Sequence, residues 1–340
     1  RRRVGAMAAA VVELDGESLS CAQLVLLGRA GTQIALGERA VHAVEASRNV
    51  VDQMLEKREV AYGINTGFGL FSNVVIDDDK LEQLQQNLIR SHAAGVGRPL
   101  TYERTRMLLA LRINVLCRGN SGVSLETLHR MIKAFNAGCA SVVPSQGTVG
   151  ASGDLAPLAH LALGLMGEGL MWDHPAPTSA EKESNAIVEA TKSRTWAHRP
   201  AAEVMAAHNV TPVELKAKEG LALINGTQLM TALGTEAVVR ARNVQICADL
   251  TAALSLEVLK GTVNAFHPRI HERRPHKGQG VVAARLRALV HPGAPSELWS
   301  SHKYQGRVQD AYSLRCTPQV HGIVLDTISF VESILECELN

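Results

Sequence analysis

The sequence predicts an all-α protein built as a long-helix bundle, and three features carry that expectation. The interior must be aliphatic, because 46% of the residues are hydrophobic but only 4% are aromatic. Apolar residues recur at helical spacing along successive segments, as they do in helices with one buried stripe. From Thr227 to Lys260 the pattern runs without a proline and with a single internal glycine, Gly234, until Gly261 stops it. Helices of that length with alanine seams belong in bundles, often shared between subunits.

Bulk properties narrow the classes further. A chain of 340 residues can bury a large core as one large domain or two average ones. Its 35 basic and 33 acidic residues give a net charge of +2, too even for a nucleic-acid or anionic-membrane surface. Six scattered cysteines without a CxxC pair read as reduced, buried thiols, and a cytoplasmic location is expected. No apolar run is long enough for a membrane span. Arg1-Arg2-Arg3 followed by Ala8-Ala9-Ala10 has the outline of a signal segment, but Glu13 and Asp15 interrupt it too early. The missing initiator methionine, and an end at Asn340 inside a helical pattern, read as a fragment.

In chain order, residues 10–20 alternate like a short strand. Residues 41–57 follow as a helix with Val44, Val51 and Leu55 on one side. Leu81, Leu84, Leu88 and Ile89 form a second stripe, running into Ser91-His92. Met107, Leu108, Leu111 and Val115 form a third. Leu125, Leu128, Ile132 and Phe135 form a fourth, with Ser124 as its N-cap and Gly138 just past its end. Leu158, Leu161, Leu165 and Met166 mark another helix. Residues 173–208 are polar and proline-bearing, a surface insert or linker. In the long stretch Leu233, Ala237, Ala241, Val244, Ala248 and Leu259 return to one face. His267, Arg269, His271, Arg273, Arg274, His276 and Lys277 read as a solvated or intersubunit basic loop. Metal binding there is disfavoured, since only Glu272 sits at ligand spacing, and no metal site is expected. The last helix carries Ile328, Val331 and Leu335.

Two glycine-rich stretches carry the chemistry. Tyr62-Gly63-Ile64-Asn65-Thr66-Gly67-Phe68-Gly69 lacks the lysine and the third correctly spaced glycine of a phosphate loop, and spacing alone favours a structural turn. Gly147-Thr148-Val149-Gly150-Ala151-Ser152-Gly153-Asp154 opens a helix. Its spacing is GxxGxxG and Asp154 would repel phosphate, so the phosphate cradle fails. Ser152 lacks the G-x-S-x-G surroundings of a nucleophile elbow. Self-cyclisation remains open: the Gly153 nitrogen can attack the Ala151 carbonyl, and loss of two waters leaves an exocyclic methylene as electrophile. A turn without chemistry remains open beside it.

The stretch from Gly147 to Leu158 resembles the prosthetic-group segment of the aromatic amino acid ammonia-lyases. Tyr62–Gly69, Ile224-Asn225-Gly226-Thr227-Gln228 and Gln309-Asp310-Ala311-Tyr312-Ser313-Leu314-Arg315 are similar to that family's other signatures, in the same order. The likeness runs from about residue 40 to the end, interrupted at 173–208. It implies a 4-methylideneimidazole-5-one group (MIO) formed from Ala151, Ser152 and Gly153, with no external cofactor. It implies Tyr62 as acid/base, Arg315 as carboxylate clamp, and Asn225, Gln309 and Tyr312 as positioning and polarising groups. Ser91-His92 resembles the histidine-selective pair, where phenylalanine-selective members carry Phe-Leu and tyrosine-selective ones His-Leu. His92 would thus select an imidazole, making L-histidine the expected substrate and trans-urocanate the product. A phenylalanine or tyrosine lyase, or an inactive fragment, is the alternative.

The implied architecture is a fumarase/aspartase-like bundle with a smaller N-terminal domain carrying the MIO loop, assembled as a homotetramer with shared sites. Residues 1–217 would form that domain, and 218–340 the first part of the bundle. The resemblance also implies a phenylalanine and a glutamate of the site from the family's second half, roles for which this sequence offers no residue to name.

Overall fold

The computed structural model describes residues 10–173, 198–290, 297–298 and 308–340. These fall into two compact units, residues up to Gly234 with Glu336–Asn340, and Thr235–Leu335. The sequence reading places the division at 217/218. The structure keeps 218–234 with the first unit because the buried carboxylate of Glu219 accepts from Ser124 and Thr127 there.

In the first unit β1 (Val11–Leu14) turns Val12 and Leu14 inward and pairs in parallel with β2 (Gln33–Leu36), Val12 opposite Ile34. Between them α1 (Cys21–Leu27) starts with a reciprocal capping box between Ser20 and Gln23. The expected helices follow. α2 (Glu38–Glu56) buries Ala40, Val44 and Val51, and α3 (Leu81–His92) buries Leu81, Leu88 and Ile89. α4 (Tyr102–Cys117) is buried almost all round, and α1, α2 and α5 (Leu125–Asn136) pack against it. Ser124 caps α5 as expected, its hydroxyl accepting from Thr127 N, and Gly138 follows the helix in the left-handed region at φ 81°.

β3 (Val96–Pro99) and β4 (Pro144–Gln146) pair antiparallel and deliver the chain into the glycine loop before α6 (Leu155–Leu165). Part of the expected polar insert is ordered and apolar. β5 (Leu170–Trp172) pairs antiparallel with β6 (His198–Pro200), and α7 (Ala201–Ala207) buries Ala201, Val204 and Met205. Polar flanks and prolines mask those three inward residues in the sequence. The rest of the insert, 174–197, lies outside the described residues. α8 (Glu219–Ile224) completes this part and packs on α3 and α6.

α9 (Gln228–Val258) is the predicted long helix, 31 residues and about 46 Å at 1.5 Å each. It ends in a Schellman-type turn in which Gly261 N donates to Leu256 O at 2.8 Å. The left-handed residue of that turn is Lys260, at φ 53°, rather than the glycine.

In the second unit the core joins Leu256 and Ala253 of α9 to Phe266, Val282, Leu286 and Leu325. The buried face of α9 differs from the expected one. Val238, Gln245, Asp249 and Ala253 face inward, whereas Ala237, Val244 and Leu259 are exposed. Asp249 is tolerated inside because Gln245, Arg285 and His321 all donate to it, at 2.7 to 2.9 Å.

The basic loop is also more structured than expected. Within α10 (Pro268–Glu272) His271 is buried, donating from Nε2 to Ala265 O and accepting at Nδ1 from Gln279 of α11 (Lys277–Val290). α12 (Tyr312–Arg315) and α13 (Thr317–Leu339) complete the described elements. Among the described residues no helix is long and apolar enough to cross a membrane.

Candidate active site

Four sequence-predicted segments meet in the first unit. Ala151 and Ser152 are exposed at the tip of the glycine loop, and Gly153 follows at φ 111°. Gly153 lies against the backbone of Gly226, where any side-chain carbon at 153 would stand 2.8 Å from Gly226 O. Asp154 N donates to that same carbonyl at 2.6 Å. The loop is thereby seated on the residue that follows Asn225.

Asp154 fastens the loop from below. It is fully buried, and one carboxylate oxygen accepts from Thr148 Oγ1 at 3.0 Å while the other accepts from Met230 N at 3.0 Å. Met230 N is one of the unpaired donors in the first turn of α9, so the carboxylate caps the long helix from a distant segment. The Gly153 amide nitrogen donates to no acceptor among the described residues.

Tyr62 is exposed and meets the Phe68 ring edge-on, with centroids 6.2 Å apart. Its loop is shaped by two buried residues. Asn65 Oδ1 accepts from Ala61 N at 2.9 Å, and Thr66 Oγ1 accepts from Gly63 N at 3.3 Å and donates to Gly67 O at 3.0 Å. Gly63 packs on Leu221 of α8, three residues before Ile224-Asn225.

A cavity of about 370 Å³ lies between this loop and α3, walled by Phe68, Phe71, Ile76 and Leu88, with Ser91 and His92 at its polar edge. The His92 ring is oriented from within its own helix. Its Nδ1 lies 2.9 Å from Leu88 O, which can only accept, so Nδ1 carries the proton and Nε2 remains an acceptor. Ser91 Oγ, itself donating to Leu88 O, sits 3.0 Å from the same nitrogen.

Just beyond His92 the chain is keyed to α6. His160 Nε2 accepts from Gly95 N at 3.0 Å, and burial pushes this imidazole below its ordinary range. Arg90 and Glu168 pair at 2.7 Å between the same regions.

Gln309, Tyr312 and Arg315 belong to the second unit and form their own cluster. Arg315 Nη1 donates to Gln309 Oε1 at 3.1 Å, and the guanidinium lies 5.3 Å from the centroid of the exposed Tyr312 ring. Between them Asp310 is buried and anchors the segment by accepting from Thr262 N at 2.7 Å.

Sequence reasoning passes over the groups that hold these segments. It does not single out Arg112, Glu219, Gln228 or His160, and it reads Asp154 only as a charge unfavourable to phosphate. The signal available for Arg112 is a lone guanidinium in the otherwise apolar run Met107–Ile113, on a helix buried almost all round.

A mainly helical chain with this loop and these clusters has the fold of solved ammonia-lyase and aminomutase structures. Histidine ammonia-lyase from Trypanosoma cruzi superposes with a TM-score of 0.81 at 48% identity, covering 97% of this chain and 56% of that one. Tyrosine aminomutase from Streptomyces globisporus gives 0.83 at 33%, covering 97% and 61%. Residues 19–340 match the family described as aromatic amino acid lyase, and the chain belongs to that family. Histidine ammonia-lyase of Mus musculus is 55% identical over 330 residues, 97% of this chain and 47% of that protein. The chain thus spans about half the length of the curated relatives it matches.

Proposed function

We propose that the protein is a histidine ammonia-lyase, eliminating ammonia from L-histidine without oxidation to give trans-urocanate, through an MIO group formed from Ala151, Ser152 and Gly153. The observation that supports this reading is the seating of Gly153 on Gly226, which brings Ala151-Ser152-Gly153 beside Asn225 with the Gly153 nitrogen uncommitted among the described residues. The residues fit the group: Ala151 and Ser152 are exposed, and the backbone at Gly153 is in a region open to glycine. The Gly153 nitrogen would bond to the Ala151 carbonyl carbon, whose oxygen leaves as water. Ser152 would then lose its α-hydrogen and hydroxyl as a second water, giving the methylene.

Such a group, held by Ala151, Ser152 and Gly153, would supply an electrophile toward the substrate amine. Tyr62, exposed beside Phe68 of the cavity wall, would remove the β-proton. Arg315 would clamp the substrate carboxylate through its fork of N–H donors. Asn225, Gln309 and Tyr312 would hold the substrate and polarise the prosthetic group. His92 would select the imidazole, its free Nε2 accepting from the ring N–H of the substrate.

Two further parts belong to this proposal. A homotetramer with sites drawn from more than one copy is supported by the exposed apolar residues of α9 (Val244, Leu254, Val258) and of α13 (Val320, Ile323, Phe330). A cytoplasmic setting fits the buried thiols, since burial pushes Cys117 up to about 12 and Cys139 up to about 11.

The apolar cavity walls favour a second reading, a phenylalanine or tyrosine lyase. Identity with the mouse histidine enzyme and the His92 imidazole weigh against it. Intact-mass measurement joined to a urocanate-absorbance assay on the intact protein tests the proposal. A lyase has lost two waters at 151–153 and forms urocanate; a protein that keeps both waters refutes the enzyme reading, and loss without urocanate refutes the substrate.

A further inference from the structure

Arg112 is among the most deeply buried side chains of the molecule, and among the described residues no carboxylate offsets its charge. Burial pushes its guanidinium down to about 10, while an isolated arginine remains charged far above that. A buried cation without a counter-charge is an expensive way to fill space, and an aliphatic side chain would fill it more cheaply. What the arginine supplies instead is its fork of donors.

All the partners of that fork lie in one short stretch. Nη1 donates to Asn225 O at 3.1 Å and to Gln228 Oε1 at 2.7 Å, and Nη2 donates to Ala222 O. Ala222 O is among the last carbonyls of α8 and has no partner within its helix, so the guanidinium satisfies the helix end and carries charge of the favourable sign for it. The fork therefore spans the end of α8, the Asn225 backbone and the first turn of α9.

Gly226 sits inside this grip. A side-chain carbon there would lie 2.7 Å from Arg112 Nη1 and 2.3 Å from Gln228 Oε1. On its other side Gly226 O accepts from Asp154 N, and Gly153 rests on the same peptide. Gly226 thus lies between the two contacts: Arg112 holds the carbonyl of the peptide before it, and its own carbonyl receives the segment that carries 151–153.

We infer that Arg112 is a positioning residue that fixes the Asn225–Gly226 backbone and, through it, both the Asn225 side chain and the closing geometry of Ala151-Ser152-Gly153. The inference rests on the lyase reading and adds to it the group that aligns its parts. Lysine at 112 keeps the charge but replaces three directed contacts by a point donor. Methionine keeps the bulk and leaves all three acceptors unpaired.

Arg112→Lys and Arg112→Met, made in the intact protein, test this. Misplacement of reacting groups by about an ångström costs on the order of 10²-fold in rate. The expected result, per folded protein, is a kcat lowered about tenfold in Arg112→Lys and about 10²-fold in Arg112→Met, with KM changed less than about threefold. The share of chains that have lost two waters falls in the same order. Variants that fold and keep full dehydration, with kcat within about twofold of the parent, overturn the inference. Where neither folds, Gly226→Ala decides by the same criteria, because its methyl collides with Gln228 Oε1 and Arg112 Nη1, two ends of the clamp, without removing the charge. A parent that never loses its two waters refutes the lyase reading instead. Hydrogen exchange at the Asn225 and Gly226 amides then still decides the clamp: faster exchange in the variants supports it, and unchanged exchange overturns it.

Discussion

Gly153 rests directly on the peptide of Gly226, and no side chain can stand between them. In Gly153→Ala the added methyl would lie 2.8 Å from Gly226 O, on a backbone at φ 111° that L-residues rarely adopt. The variant is expected to lose about 1–3 kcal/mol of stability. The strained and hindered nitrogen is also expected to leave Ala151 and Ser152 with both waters. Urea unfolding and intact mass check the two halves separately. A stable Gly153→Ala chain that still dehydrates would show that the close approach to Gly226 is dispensable.

Glu219 holds the start of α8 through four bonds: from Ser124 N and Oγ at 2.8 Å, from Thr127 Oγ1 at 3.0 Å and from Lys216 N at 2.8 Å. Glu219→Gln turns an amide NH2 toward groups that are themselves donors. A buried donor left unsatisfied costs about 1–3 kcal/mol, and more than one is stranded here. The variant should unfold at lower urea with an unchanged m-value. A midpoint equal to that of the parent would mean that the network rearranges freely.

These two residues mark the boundary of what the sequence discloses. Helical periodicity and caps are legible because they are local: Ser124 with Gly138 brackets α5, and absence of proline outlines α9. The glycine loop and Tyr62 are legible because their residue types are unusual together. The buried face of α9 is not, because a polar stripe with Gln245 and Asp249 becomes an inward face only when Arg285 and His321 arrive from distant segments. Likewise Arg112 and Glu219 act on partners 110 and 95 positions away in sequence, and no spacing rule reaches that far.

His160 accepts from Gly95 N, so only its neutral ring can hold the segment after His92. Burial lowers its pKa in the folded protein relative to an unfolded value of about 6.5. The unfolded chain therefore binds the proton more readily. The stability contribution is fully present above about pH 6.5 and is lost as pH falls through the folded value. His271, lowered by burial as well, adds to the same slope. Stability measured by urea unfolding should decline below about pH 6.5, and His160→Gln should flatten that decline in part. An identical slope in His160→Gln would remove this histidine from the explanation.

Ser91 and His92 should set the substrate. With Nδ1 committed to Leu88 O, the His92 ring offers Nε2 as an acceptor beside a cavity whose other walls are largely apolar. Exchanging Ser91-His92 for Phe-Leu removes both the acceptor and the hydroxyl beside it. An imidazole substrate would then bury its N–H without a partner, whereas a phenyl ring would gain apolar contact. Sites that hydrogen-bond their substrate discriminate strongly against losing that bond. The exchange should lower kcat/KM for L-histidine by about 10²-fold or more and raise it for L-phenylalanine. Ser91 is exposed and His92 half-buried at the end of α3, so the fold should persist. The check is parallel assay of urocanate and cinnamate absorbance on protein whose loss of two waters has been verified. Unaltered preference would place the selecting group elsewhere and return His92 to a structural role at the end of its helix.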